Sequence, residues 1–546
     1  MNPTAPTTPT TWRERAPWWL LLPFVCHWAF SWIGFSPTDD GWLQAVARRL
    51  LDGEVPHRDF IFVRPALSAY LQVPLVALGG DHVIWLSRLW GWLTVAVICW
   101  LWTGLVDARG AVRYALYAIA VMLTAHTFPV MAWHTFDALL LCTIAVRLAR
   151  DGRLKAAFFA AGTAALCRQN FAFFAPLLLV AVGGPWRFWF VAGFWSALPA
   201  LLYGAAIAAL GGGRDFVLQI AAAGGQFKEA ALERLFFQPW WWAGLAGGAA
   251  LLAARRKTPP AAAVGWLVLG LGLASALAWM PRTFHLASFA LLGVVAVAGL
   301  GSGSRLLAVT GPALAWVTMI SLGYNNPALM AGALFVLAWR ILAAELPEPA
   351  GRRVLVGLLV VVIATAAALT RARLQYPYRD EPARQLAWPA GDVLPGAAGL
   401  RTNVRVISTL AELRQLTLER EAAGVPYAIL TDVSAHWIHS RQRNLLAVDW
   451  PQETELGFSP ALFDRFFREM TTLPANTDLI VQKFLIADYV IAFEPVDLTW
   501  RYYFAQNYVR LNCRKKGETR FFEIYAKPDV YPPVGPPRPV EVPKTR

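Results

Sequence analysis

Two adjacent carboxylates, Asp39 and Asp40, open the stretch TDDGWLQAVARRLLDGEVPHRDFIFVRP at residues 38–65, which also carries His57, Arg58, Asp59 and Arg64. A carboxylate that accepts a proton, set beside cations that hold an anion, suits group transfer from a phosphate leaving group. Capping the helix that follows would need one acid only, so the second carboxylate and the dense ionisable groups set this loop apart. Adjacency alone does not separate Asp39 from Asp40 as the base. Further along, Asp137 opens an apolar run, Arg168 and Gln169 sit between two short ones, and Arg282 and His285 stand at the head of another. An arginine at mid-bilayer costs about 2.5–3.5 kcal/mol on insertion scales. Arg168 therefore belongs at the outer end of a short helix, either as a snorkelling anchor or as a grip on phosphate. Asp432, His436 and His439 lack a second carboxylate nearby for a metal set, and Gly211–Gly213 lacks the Lys-Ser/Thr of a phosphate loop.

The elements that must position these groups are mostly apolar. Of 546 residues, 57% are hydrophobic and 15% charged, and the mean hydropathy is +0.44. Soluble domains carry about 25% charged residues, so the surplus calls for lipid as a second solvent. Nearly uncharged runs between residues 17 and 370 predict about thirteen crossings of a hydrocarbon layer about 30 Å thick. Most of the +14 net charge lies among these runs, in short clusters such as Arg255–Lys257. That distribution reads as membrane topology, and no basic face interleaved with aromatics points to nucleic acid.

The basic clusters fall on alternate sides of successive runs. The positive-inside rule then places the N-terminus in the cytoplasm and, after an odd number of crossings, residues 371–546 outside. Residues 17–36 read as a retained anchor, 1–16 as a disordered cytoplasmic segment and 37–85 as the first outer loop. Within that loop, Trp42, Leu43, Val46, Leu50 and Leu51 recur at helical spacing, predicting a helix lying in the interface with its apolar side down. Residues 371–526 predict an α/β or α+β domain, with strands at Tyr427–Leu430, Tyr489–Phe493 and Phe521–Tyr525 and helices over 408–423 and 460–471. The tail 527–546 is Pro-rich and reads as extended. Cys513 stands alone in the polar region and cannot staple it internally.

The loop string resembles the first outer loop of the GT-C superfamily of polyprenyl-phosphate-sugar-dependent glycosyltransferases, notably the protein O-mannosyltransferases and the lipid A aminoarabinose transferases. There an acidic pair follows the first span, then an interfacial helix, a Tyr-Arg-Asp-Phe-like turn and a Pro-containing segment. Here these stand as Asp39-Asp40, the helix from Trp42, His57-Arg58-Asp59-Phe60 and Arg64-Pro65. Trp133–Asp137, Arg168–Asn170 and Pro281–His285 are similar to later segments of the same families. The resemblance implies a multi-pass enzyme of a bacterial inner membrane with a periplasmic C-terminal domain, an inverting single displacement and a polyprenyl-monophosphate sugar donor. It implies Asp39, or Asp40 in exchange, as base, and Arg58, Arg64, Arg168, Arg282 and His285 at the donor phosphate. His57, Asp59, Asp137 and Gln169 would orient the acceptor, which is a glycan, a lipid or a protein. No metal ligand is assigned and no cofactor is identified; a divalent cation stays open. A transporter or lipid flippase is the competing class; it predicts inverted repeats and ionisable groups at mid-membrane.

Overall fold

Backbone in lipid must satisfy its own hydrogen bonds, and the apolar runs do so as helices. The computed structural model describes residues 17–125, 131–224, 235–257, 259–299, 304–320, 326–343, 351–457, 459–486, 491–492 and 503–528. Residues 1–16 and the tail beyond Pro528 lie outside the described residues. The helices run α1 (Leu21–Phe30), α2 (Trp42–Leu51), α3 (Leu67–Leu78), α4 (Val83–Leu105), α5 (Gly110–Ala125), α6 (His134–Arg150), α7 (Leu154–Cys167) and α8 (Phe174–Val182). They continue with α9 (Trp186–Ala209), α10 (Gly213–Gly224), α11 (Pro239–Lys257), α12 (Pro259–Trp279), α13 (Phe284–Ala298), α14 (Arg305–Met319), α15 (Ala331–Ala343) and α16 (Gly351–Gln375).

Among the described residues, four helical stretches are long and apolar enough to cross a membrane: Gly80–Leu105, Trp186–Ala209, Pro281–Ala298 and Arg352–Gln375. Eight further apolar helices are shorter, at 10–17 residues. The outward faces are as telling as the lengths. Trp186, Phe190 and Phe194 on α9, and Val356 and Ile363 on α16, are largely exposed, and contiguous apolar surface of that extent is what a helix presents to lipid. Inside, Trp92, Trp102, Tyr117, Phe136 and Phe158 form the centre of one large apolar core. Glycine lets two pairs of helices approach closely. A Cβ on Gly162 of α7 would lie 2.0 Å from the Ser196 carbonyl of α9, and one on Gly332 of α15 would lie 2.1 Å from the Ala120 carbonyl of α5.

Beyond α16 the chain changes character. A four-stranded sheet has the order β3 (Tyr427–Leu430), β4 (Asp478–Gln482), β8 (Phe522–Ala526), β7 (Lys515–Glu518), with β3 parallel to β4 and the other pairs antiparallel. Minor pairs are β1 (Trp388–Pro389) with β2 (Arg401–Thr402) and β5 (Leu485–Ile486) with β6 (Ile491–Ala492). Helices α17 (Val404–Ala423), α18 (Pro460–Thr471) and α19 (Phe504–Asn512) accompany the sheet. The β3-to-β4 connection needs a crossover because the strands are parallel, and α18 supplies its helix. Phe463, Phe466 and Phe467 of α18 pack with Leu430, Leu479 and Tyr525 of the strands. Of the strand expected over Tyr489–Phe493, only Ile491–Ala492 lies among the described residues.

One local expectation is corrected. The helix expected from Trp42 is present, but it does not lie with its apolar side on lipid. Trp42–Ala47 are all buried. Protein covers them on both sides: Gln44 donates to Gln72 of α3 at 3.1 Å, and Ala435 and Ile438 lie against Gly41. The loop also folds more than its sequence suggested, since α3 occupies Leu67–Leu78 with Pro74 inside it.

Candidate active site

The turn between α1 and α2 is built around a buried cation. Arg88 of α4 donates to the carbonyls of Ser31 (2.7 Å), Ile33 (3.1 Å) and Gly34 (2.7 Å). It completes its bonding on Asp40, with Nη2 to Oδ2 at 2.8 Å, and both side chains are under a tenth exposed. The same Oδ2 accepts from the Ser36 N–H at 2.8 Å. Asp40 is therefore committed: it neutralises an arginine that would otherwise be stranded out of water.

Asp39 points elsewhere. Its Oδ2 accepts from the Tyr378 hydroxyl at 2.8 Å and from Arg379 Nη1 at 3.0 Å. Both partners come from the segment that follows α16, more than three hundred residues away. Burial pushes the Asp39 carboxyl above the usual range. Arg379 and Tyr378 pull it down in part, and the like charges of Asp40 and Asp432 push it up again. Next to it, Gly41 takes a left-handed conformation at φ 82°, where a Cβ would lie 2.5 Å from that of Ala435.

A second group of expected residues gathers around Trp42. Arg64 pairs with Glu455 through two bonds of 2.7 and 2.8 Å, and its guanidinium lies 5.0 Å from the Trp42 ring centroid. Arg168 donates to Thr135 Oγ1 at 2.7 Å, and Gln169 donates to the Val63 carbonyl at 2.9 Å, one residue from Arg64. Arg64 and Arg168 are close enough to repel one another, with Glu455 offsetting them. The indoles of Trp133 and Trp450 stand 5.5 and 6.2 Å from that of Trp42. Arg282 lies at the rim, exposed, with its guanidinium 5.7 Å from the ring of Tyr376, two residues before Tyr378. His285 follows, half-buried, in the first turn of α13.

The remaining candidates are placed apart. His57 is fully buried at φ 70°, with Nδ1 on Gln219 (3.0 Å) and Nε2 on Tyr203 (2.9 Å). Its desolvation lowers the imidazole pKa to about 4, so it is neutral at physiological pH. Both nitrogens are spent on holding the loop, which leaves none to orient an acceptor. Arg58 and Asp59 pair with each other at the surface, at 2.7 and 2.8 Å. No bond links them to Asp39 or Asp40 among the described residues. Asp137 is buried in the helical layer, where it accepts from Trp90 Nε1 at 3.1 Å.

Three residues absent from the sequence reading belong with the carboxylates, Arg88, Tyr378 and Arg379, and so does Asp432, which that reading weighed only as a metal ligand. Arg88 carried a signal, as an arginine inside an apolar run. Tyr378 and Arg379 carried none, because nothing local ties them to residue 39. Asp432 is buried and accepts from Trp450 (2.9 Å), Gln452 (2.7 Å), Gln482 (3.2 Å) and Tyr503 (3.0 Å). It does not converge with His436, which meets Tyr427, or with His439, which meets the Gly80 carbonyl. Asp39 and Asp40 each face a guanidinium.

A narrow cleft of about 30 Å³ opens beside Asp40, lined by Arg88, Arg373 and Tyr378 and by the apolar Phe30 and Trp92. The site thus offers a buried carboxylate of raised pKa, a locked partner carboxylate, and a cleft that combines guanidinium groups with apolar walls. No family model, curated protein or solved structure matches the chain.

Proposed function

We propose that this chain is a multi-pass membrane glycosyltransferase that moves a sugar from a polyprenyl-monophosphate donor to an acceptor hydroxyl at the outer face of the membrane. The observation that carries the reading is the asymmetry of the acidic pair. Asp40 is bound by Arg88, whereas Asp39 meets Tyr378 and Arg379 of the C-terminal third and holds a raised pKa. A raised pKa makes a carboxylate a better proton acceptor from a hydroxyl.

In the displacement, Asp39 takes the acceptor's hydroxyl proton as that oxygen attacks the anomeric carbon. The bond from that carbon to the phosphate oxygen breaks, and polyprenyl phosphate leaves with the electron pair. One such step inverts the anomeric configuration. The cleft beside Asp40 is the donor's place in this reading: Arg373 brings positive charge to a phosphate, Phe30 and Trp92 bring apolar walls to an isoprenoid, and Arg88, spent on Asp40, holds the turn. Arg168 adds positive charge near Trp42, where Arg64 is already paired with Glu455, and the exposed Arg282 adds it beside Tyr376. Arg58 is left out of the phosphate set, since it is spent on Asp59. A polyprenyl tail stays in lipid, which explains a catalytic loop carried on membrane helices.

The test uses the purified full chain, a panel of polyprenyl-phosphate sugars and a mixed set of acceptors. Wild type forms a covalent glycoside, and Asp39→Asn lowers turnover by about a hundredfold or more while staying folded. Undiminished turnover in that variant removes Asp39 as the base. Vectorial lipid movement without any covalent product replaces this reading with a flippase.

A further inference from the structure

A second cleft, of about 150 Å³, lies at the other end of α2, between Arg48, Arg49 and Asp52 of the loop and residues 437–449 of the C-terminal third. Its floor is rigid and already satisfied. Arg49 donates to both oxygens of Asp449 at 2.9 and 3.0 Å, to Glu54 at 2.8 Å and to the Leu446 carbonyl at 2.6 Å. Asn444 donates to Asp449 at 2.8 Å, and Gln442 is held by both backbone polar groups of Tyr427. The rim differs. Arg441 and Arg443 are exposed, and among the described residues neither has a carboxylate within ion-pair reach. Arg443 is near enough to draw on Glu54 electrostatically, so its charge bears on the cleft.

We propose that this cleft binds a carboxylated or phosphorylated sugar residue of the acceptor glycan, with Arg441 and Arg443 gripping the anion. Guanidinium groups bind carboxylate and phosphate through paired donors. The polar floor, which cannot rearrange without losing buried bonds, limits the occupant to a small polar ring. The inference rests on the glycosyltransferase reading for its choice of ligand. From Gly41 beside Asp39 to Arg49 at the cleft is eight residues of helix, or roughly 12 Å at 1.5 Å per residue. The cleft is therefore too distant for the reacting sugar and placed for one further along the acceptor chain.

The experiment is calorimetric titration of the full chain in detergent with a galacturonate trisaccharide, a neutral galactose trisaccharide, glucose 1-phosphate and dihexanoyl phosphatidylglycerol. Donor is absent, so the outcome does not depend on turnover. The trisaccharide acid binds, the neutral sugar binds at least tenfold more weakly, and Arg441→Gln/Arg443→Gln weakens the acid tenfold with no change in melting temperature. Equal binding of acid and neutral sugars, or acid binding untouched by the double variant, overturns the proposal. Binding by the phospholipid without the sugar acid overturns the glycan assignment in favour of a lipid headgroup. If Asp39→Asn proves fully active while the acid still binds through Arg441 and Arg443, the assigned base falls and the anion site stands.

Discussion

At the scale of single residues, the acidic pair divides its labour through its arginines. Replacing Arg379 by Gln removes the cation that offsets the burial of Asp39, so that carboxyl rises further. A general base works in its deprotonated form, which predominates above its pKa. The acid limb of the transfer-rate profile in Arg379→Gln therefore moves to higher pH, and the plateau is reached later; a profile superimposable on wild type would separate Arg379 from the base. Asp40→Asn acts differently. It strands the Arg88 charge under a tenth exposed, and breaking such a buried pair costs about 3–5 kcal/mol. Thermal unfolding in detergent should show that loss, and Arg88→Met in the same chain should recover part of it. The types Asp39 and Asp40 announced chemistry on their own, but their different fates did not. Those fates depend on Arg88, 48 positions away, and on Tyr378 and Arg379, about 340 away, and sequence spacing carries no trace of such contacts.

At the scale of elements, α2 and the turn before it carry the site, and two tests fall on them. Gly41→Ala forces a side chain into the left-handed region and against Ala435, for about 2–5 kcal/mol in all. A melting temperature within a degree of wild type would mean that residues 434–438 do not pack there. His57 fixes the far end of the loop and is buried neutral, with a folded pKa of about 4 against 6.5 when free. The unfolded chain thus binds the proton more readily, and stability falls as pH drops from about 6.5 through about 4. The full effect is on the order of 3 kcal/mol. Denaturation followed across that window should show the slope, and His57→Asn should flatten it. The periodic elements were legible: α2, α18 and β3 sit where the apolar pattern put them, since each shows one strong face or one short apolar run. The strand β4 was not. It is buried throughout yet reads DLIVQ, whose polar ends are satisfied by tertiary partners such as Arg420 for Asp478 and Asp432 for Gln482. The burial of α2 was hidden for a related reason: its amphipathic pattern fits lipid and protein equally well, and only the distant segment 434–438 decides between them.

At the scale of the whole molecule, the first loop and the C-terminal third share a side because they are bonded to each other. Asp39 with Arg379, Arg64 with Glu455 and Arg49 with Asp449 join them across three separate points. Locating one therefore locates the other, whatever the number of crossings. Cys513 makes this measurable. It is partly exposed beside the sheet, while Cys26, Cys99, Cys142 and Cys167 are buried in helices. The proposed topology, read from the charge bias of the loops, has residues 371–546 outside; on it, a membrane-impermeant maleimide added to intact spheroplasts should label wild type and not Cys513→Ser. Labelling that appears only after the membrane is broken would put Cys513 inside. The three bonded pairs would then carry Asp39 inside with it, and a reaction at the outer face would be impossible for this chain.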